Sequence, residues 1–303
     1  MGCFMSVIMA VHNAEQFLDK SISSILLQTL SQFEFIIVDD ASTDNSASIL
    51  DEMAKKDKRI KIIKNHQNIG LTKSLNKALL KAKGKYIARQ DADDCSALQR
   101  LEKQVLFLDK HKDVALVGTS TIVIDEFGES LCMRHCITDP ALLRKTVLVR
   151  NCFFHGSIMF RKKDIEQIGR YREKFVYGQD YDLYIRLSEK RNLANIDLPL
   201  YYWRFTRDSI SAKQGHMQNV YGSWARAFAK ERRLKGLDSY DVSDLVDLGQ
   251  CGIMKKSRES YVQRRALFLI EGKKFHPCDK NNTVLFLKNP YLFVKYICRL
   301  LKS

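Results

Sequence analysis

Lys85-Tyr86-Ile87-Ala88-Arg89-Gln90-Asp91-Ala92-Asp93-Asp94 is a short apolar segment that runs straight into a group of carboxylates. Clustered carboxylates repel one another unless a cation or hydrogen bonds stabilise them. A hard divalent cation, Mg²⁺ or Mn²⁺, suits such a group, because it prefers oxygen ligands and is often shared with substrate phosphates. The competing reading is a helix N-terminus carrying acids that the helix dipole favours. An Asp-x-Asp spacing is a weak signal alone. Its weight comes from where the neighbouring segments bring their own polar residues.

Upstream, apolar β-rich runs alternate with helical patterns. Phe4–Ala10 reads as a buried strand ending at His12 and Asn13, and Ala14–Thr29 as a helix. Phe33–Val38 is a second strand closed by Asp39 and Asp40, and Ser42-Thr43-Asp44 opens a helix that reaches Lys56. Ile60–Lys64 is a third strand, Asn68-Ile69-Gly70 a turn, Leu71–Lys83 a helix capped by Gly84, and Lys85–Arg89 a fourth strand. This alternation predicts a parallel α/β sheet covered on both faces. Ligands bind beyond the carboxyl ends of such strands, where His12, Asp39, Asp40 and Asp91–Asp94 all fall. Asp39 is placed to hydrogen-bond a base or ribose hydroxyl. The run from Asp40 to Asp44 also suits a turn and helix cap, and both roles are compatible.

Past residue 113 the pattern becomes α+β. Val114–Ile124 and Ser130–His135 read as strands around Asp125–Gly128, Pro140–Val149 as a helix and Phe153–Arg161 as a strand. Gln179–Lys190 reads as a helix, followed by two extended segments, Leu193–Asp197 and Leu200–Phe205. From about His216 the chain is helical and basic. The expected organisation is therefore a catalytic domain over 1–215 and a helical extension over 216–303.

Composition narrows the function classes. Of the 303 residues 45% are apolar, which excludes a disordered chain, and the net charge of +15 implies an anionic partner. The excess is uneven: residues 204–303 carry 20 basic and 9 acidic side chains, against 30 and 26 in residues 1–203. No run reaches the roughly 18–20 apolar residues of a membrane span, and no signal peptide is apparent. The cysteines are scattered. Cys132 and Cys136 flank His135, but no second ligand pair has matching spacing, so free thiols in a reducing cytosol are expected. No G-x-G-x-x-G follows the first strand, and neither a Walker A sequence nor a G-x-S-x-G elbow occurs. By spacing alone Asp180 reads as an acid at the start of a helix, and His155 as a structural hydrogen-bonder.

Taken in order, Val7–Asn13, Ile37–Asp44, Asn68–Leu71, Ala88–Asp94, His155–Arg161 and Gln179–Leu183 resemble the family 2 glycosyltransferases, inverting enzymes with a GT-A fold. The likeness runs from residue 4 to about residue 211. It is nearest to bacterial enzymes of O-antigen lipopolysaccharide, capsule or exopolysaccharide synthesis. It implies a UDP-sugar pocket lined by Ala10, Val11, His12 and Glu15, with Asp39 at the uracil or sugar. Asn68, Gly70, Arg89, Asp91 and Ala92 would complete that pocket, with Asp91 on the ribose or sugar side. Asp93 would bind the metal that bridges the diphosphate, and Asp180 would be the general base. His155, Gln179, Arg204 and Arg207 would face the acceptor or diphosphate. Ala10 and His12 stand where the family usually has Pro and Tyr, and Gln179 where it usually has Glu. The Q-x-x-R-W motif of processive synthases is absent, which favours one sugar per encounter.

The implied acceptor is a polyprenyl-diphosphate-linked saccharide at the cytoplasmic face of the membrane. The tail offers a means of reaching it. Trp224–Lys235, Arg258–Lys274 and Pro290–Leu301 read as basic helices, and the last carries Lys295, Arg299 and Lys302 along one face, suited to an anionic bilayer surface. Packing on the catalytic domain is the alternative. No nucleic acid partner is expected, since no recognition motif occurs. A Mg²⁺-dependent nucleotidyltransferase acting on sugar phosphates and a non-catalytic adaptor for membrane or nucleic acid are the competing function classes.

Overall fold

A computed structural model describes residues 5–206 and 214–242. Its centre is one mixed sheet. Strands β1 (Met5–Val11), β2 (Phe33–Asp39), β3 (Ile60–Lys64) and β4 (Tyr86–Arg89) are mutually parallel in the order β3-β2-β1-β4. Beside β4 the direction reverses. Strand β8 (Met159–Arg161) is antiparallel to β4, and β6 (Val114–Ile124) is antiparallel to β8. The long strand β9 (Asn192–Arg204) is parallel to β6, and the two-residue β5 (Cys95–Ser96) closes that edge. Strand β7 (Ser130–Arg134) forms a hairpin with the end of β6.

Both faces of the parallel half are covered, so alternate residues enter different cores. Val7, Met9, Phe35 and Ile37 pack against α1 (Glu15–Leu26), α2 (Ser46–Lys56) and α4 (Arg100–Lys110). Ile8, Ile36, Val38 and Ile87 pack against α3 (Leu71–Lys81), α5 (Pro140–Thr146), α6 (Lys162–Gln167) and α7 (Gln179–Ser188). The apolar runs were continuous because neither face meets water.

The structure departs from the expected elements in several places. Helix α4 occupies a stretch left unassigned, although Leu101, Val105 and Leu108 recur at helical spacing and are buried. Gly84 does not cap α3, which ends on Ala82 in an extended conformation. A Cβ at Gly84 would lie 2.4 Å from the Met5 carbonyl carbon and the Ser6 nitrogen, so glycine lets the chain cross β1 closely. Only Met159–Arg161 of the expected 153–161 strand is a strand; His155–Ser157 form a 3-10 turn. There the carbonyls of Gly156 and Ser157 accept from buried Arg100 Nη1 (2.6 Å) and Gln104 Nε2 (2.8 Å) instead of from a neighbouring strand. The two extended segments after residue 192 are one strand, with Pro199 at a shift in its register with β6.

Helix α8 (Gly215–Lys235) lies against α7. Met217, Tyr221, Ala225, Phe228 and Ala229 form a core with Phe175, Tyr181 and Ile185. Arg232 pairs with Glu189 at 2.7 Å and also with Asp238, which in turn holds Arg172 at 2.8 Å. The expected helices Arg258–Lys274 and Pro290–Leu301, and Arg207, lie outside the described residues.

Candidate active site

The carboxyl ends of β1, β2 and β4 supply one edge of the site. His12 Nδ1 donates to the Asp40 carbonyl at 3.0 Å, which ties the β1 and β2 ends together. Asn13 sits at φ 51°, a left-handed conformation that Asn tolerates, and its Oδ1 accepts from Thr43 N–H at 2.8 Å. Helix α2 begins at Ser46 with Asn45 as its N-cap, not at Ser42–Asp44, and Asp44 accepts from the N–H groups of Glu15 (3.0 Å) and Ser46 (2.9 Å). Glu15 reciprocates by accepting from Asn45 N–H at 2.8 Å, so its carboxylate braces this loop pair. Val11 is buried in the core and Ala10 packs on the opposite core, which leaves His12 as the exposed side chain of that segment.

Asp39 and Asp40 have separate work. Asp40 is buried and accepts from Asn65 Nδ2 (2.7 Å), Ile69 N–H (2.9 Å) and Gly70 N–H (2.8 Å). It thereby brings Asn68 and Gly70 to the site, and Gly70 adopts φ +88°, where a side chain would be strained. Asp39 accepts only from Ser42 N–H, through Oδ1 at 3.1 Å, and its Oδ2 has no hydrogen-bond partner among the described residues.

The loop after β4 is held from three sides. Ser21 of α1 donates to the Asp91 carbonyl at 2.7 Å, and Asp91 N–H donates to Tyr201 Oη at 3.2 Å. Arg204 spends its guanidinium on the carbonyls of Asp93 (2.8 Å), Asp125 (2.8 Å) and Glu126 (3.2 Å), and lies 4.5 Å over the Phe17 ring. Its backbone N–H donates to Asp94 at 2.6 Å. Arg204, expected at a diphosphate, is therefore drawn into the fold beneath the acidic loop. Arg89 is likewise wholly buried, and its Nη2 donates to Asp91 at 2.6 Å.

Electrostatics separate these acids. Burial, and then the charge of Asp91, push the Asp93 carboxyl up to about 6. Burial and the charges of Asp93 and Asp91 raise Asp94 well above the ordinary range. A divalent cation would relieve this crowding. Among the described residues no three acidic, histidine or cysteine side chains converge as a complete metal cage. A hard cation shared with a phosphorylated substrate commonly takes one or two carboxylates from the protein and its remaining ligands from phosphate and water. Asp93, with Asp91 beside it, is the group that fits.

The second edge comes from the 155–157 turn and α7. A Cβ on Gly156 would lie 1.8 Å from Tyr201 Oη and 2.6 Å from Asp91 Oδ2, so glycine here allows the turn to touch the β4 loop. Gly156→Ala is expected to cost about 1–3 kcal/mol of stability through overpacking. Displacing Asp91 is expected to lower turnover by up to about 100-fold. Thermal unfolding and steady-state kinetics check both effects. His155 Nε2 meets Tyr171 Oη at 2.8 Å; burial and the Arg89 charge hold the imidazole well below its usual value, so it is neutral at pH 7.

Gly178, at φ +64°, starts α7 and places two carboxylates, Asp180 and Asp182, in its first turn. They differ sharply. Asp182 is fully buried and neutralised by Arg186 Nε at 2.8 Å, with Arg172 at 3.6 Å. Asp180 has no cation partner among the described residues and accepts a hydrogen bond from Asn151 Nδ2 at 2.7 Å. Burial, and more weakly the Asp91 charge, raise its carboxyl above the usual range. Asp180 thus feels the acidic loop across the site. Gln179, beside it, is buried.

The family model described as Glycosyl transferase family 2 matches residues 6–169. The chain is a family 2 glycosyltransferase. The Bacillus subtilis protein EpsE, named as a glycosyltransferase, is 41% identical over 238 residues, covering 77% of this chain and 84% of that protein. The O-antigen biosynthesis glycosyltransferase WbnJ of Escherichia coli is 38% identical over 185 residues, covering 60% of this chain and 71% of WbnJ.

Solved structures show that this glycosyltransferase has the GT-A fold. Residues 1–349 of S. aureus TarS, in complex with UDP, superpose with a TM-score of 0.57 at 17% identity, over 86% of this chain and 80% of that one. The mannosyltransferase PcManGT of Pyrobaculum calidifontis, in complex with GDP-Man and Mn²⁺, gives 0.56 at 17% identity, over 99% and 86%. The family segments quoted from the sequence meet at one edge of the sheet. Sequence reasoning missed Asn151 and Tyr171, whose partners are 29 and 16 residues away along the chain.

Proposed function

We propose that this glycosyltransferase moves one sugar from a UDP-sugar to a polyprenyl-diphosphate-linked saccharide in surface polysaccharide synthesis. The observation that carries the mechanism is Asp180, a half-buried carboxylate without a counter-cation among the described residues, opposite the Asp91–Asp93 loop. Asp180 takes the proton of the acceptor hydroxyl as that oxygen attacks the anomeric carbon. A divalent cation held by Asp93 would stabilise charge on the departing diphosphate. Asp39, through Oδ2, and His12 face the nucleoside, and Arg89 orients Asp91 toward ribose or sugar. Single displacement inverts the anomeric centre. UDP in the TarS complex and GDP-Man with Mn²⁺ in the mannosyltransferase support a nucleotide-sugar donor and a cation. WbnJ, and the Erwinia amylovora amylovoran biosynthesis protein AmsE, support the polysaccharide setting.

Among the described residues no helix is long and apolar enough to cross a membrane. We place the enzyme at the cytoplasmic membrane face, bound peripherally through its basic C-terminal region, with residues 1–215 as the catalytic unit and 216–303 as the extension. A screen of UDP-sugars tests the reading, with and without Mn²⁺, and with and without a polyprenyl-diphosphate-saccharide acceptor. UDP release that depends on both donor and cation is expected. Diphosphate release from a nucleoside triphosphate and a sugar phosphate would point instead to a nucleotidyltransferase.

A further inference from the structure

Asn151 lies in the loop between α5 and the 155–157 turn, outside every segment that carries the family likeness. Its amide is fixed at both ends. Oδ1 accepts the Phe153 N–H at 3.0 Å, so the amide group must present Nδ2 to Asp180, which it reaches at 2.7 Å. Phe153 is itself anchored, buried beside Tyr184 with ring centroids 4.9 Å apart. The donor is thus held on a stiff support while its acceptor sits at the start of α7. The bond takes one carboxylate oxygen, Oδ2.

We infer that Asn151 is a positioning residue for Asp180: it fixes the carboxylate's rotation, directs Oδ1 at the acceptor and stabilises the ionised form. This rests on the reading of Asp180 as general base. Tyr171, from the α6–α7 connection, and Tyr184, on α7, both feel the Asp180 charge. Asp91 on the β4 loop opposes ionisation of Asp180, while the Tyr181 backbone N–H supports it. Arg89 also acts on Tyr171 and Tyr184, but its guanidinium is bonded to Asp91. Asn151 is the one neutral side chain that donates to Asp180 among the described residues.

Two substitutions separate positioning from folding. Asn151→Ala removes the amide. Asn151→Asp keeps the shape and the acceptor for Phe153 N–H but replaces the donor with a carboxylate. The first readout needs no substrate: the Asp180 titration followed by carboxyl ¹³C NMR, with the resonance assigned by its loss in Asp180→Asn. The midpoint is expected to rise by about one pH unit in Asn151→Ala, as befits a lost hydrogen bond to a charged group, and further in Asn151→Asp. The second readout is steady-state transfer with the UDP-sugar selected by the donor screen. An approximately 10-fold fall in kcat is expected, with donor KM unchanged and the acid limb moved upward.

An unchanged Asp180 midpoint in both variants overturns the proposal, as does an unchanged kcat and acid limb. Asp180→Asn separates the two claims. If it abolishes transfer while the Asn151 variants behave as wild type, only the positioning role falls. If it transfers normally, the base assignment falls and the positioning role falls with it.

Discussion

Asp180→Asn is expected to abolish transfer while leaving donor binding in place. General-base catalysis contributes about 10²–10⁴-fold, so kcat should drop by that factor. The affinity for UDP, measured by titration calorimetry, should stay within about twofold, since the proposed role puts Asp180 on the acceptor side. The substitution is structurally mild. Asp180 neutralises no cation among the described residues, so removing its charge strands none of them, whereas Asp182 two residues on holds Arg186 and Arg172. The pH profile carries the same assignment. Burial raises the Asp180 carboxyl above its ordinary 3.8, and only the ionised form accepts a proton. Activity is therefore fully present above the raised value and lost as pH falls through it. The acid limb of kcat/KM should lie above that of an exposed carboxylate.

Asp93→Ala is the second large effect, and it acts at the other end of the displacement. Asp93 is crowded by Asp91 and pushed up to about 6, the condition a divalent cation relieves. Its carbonyl is fixed by Arg204 Nε at 2.8 Å, and the neighbouring Asp94 by the Arg204 N–H, so the side chain is presented from a loop that does not depend on it. Loss of the carboxylate should lower Mn²⁺-dependent turnover by about 100-fold or more, reflecting several kcal/mol of lost charge stabilisation. UDP affinity should also cease to respond to Mn²⁺. Unfolding temperature should change little. Mn²⁺-dependent turnover at the wild-type level in Asp93→Ala would move the cation elsewhere.

Strands β1, β2 and β4 were legible because each is buried on both faces and closes on a polar turn. Met5–Val11, Phe33–Asp39 and Tyr86–Arg89 read directly as apolar runs ending in His12, Asp39 and Asp91. The second half was less legible. Pro199 broke β9 into two apparent strands, whereas the structure carries it through a register shift. The 153–158 stretch has strand-like composition, but the carbonyls of Gly156 and Ser157 are taken by Arg100 and Gln104 from α4.

The site followed the same division. Its acids were legible from their positions at strand ends, and Asp180 only through family likeness, since spacing cannot rank it against Asp182. Arg172 decides that ranking by its place in the fold. Arg204 and Glu15 have the composition of ligand contacts, yet their polar atoms are occupied by the carbonyls of Asp93, Asp125 and Glu126 and by the N–H of Asn45. Asn151 gave no signal at all, because its role comes from a contact across 29 residues.

A cation at Asp93 and a base at Asp180 on opposite sides of the sugar require one in-line displacement. The anomeric configuration of the transferred sugar, read from the ¹H coupling at its anomeric carbon by NMR, tests this most directly. An α-linked UDP-sugar should give a β-glycoside. A product that retains the α configuration would contradict the account.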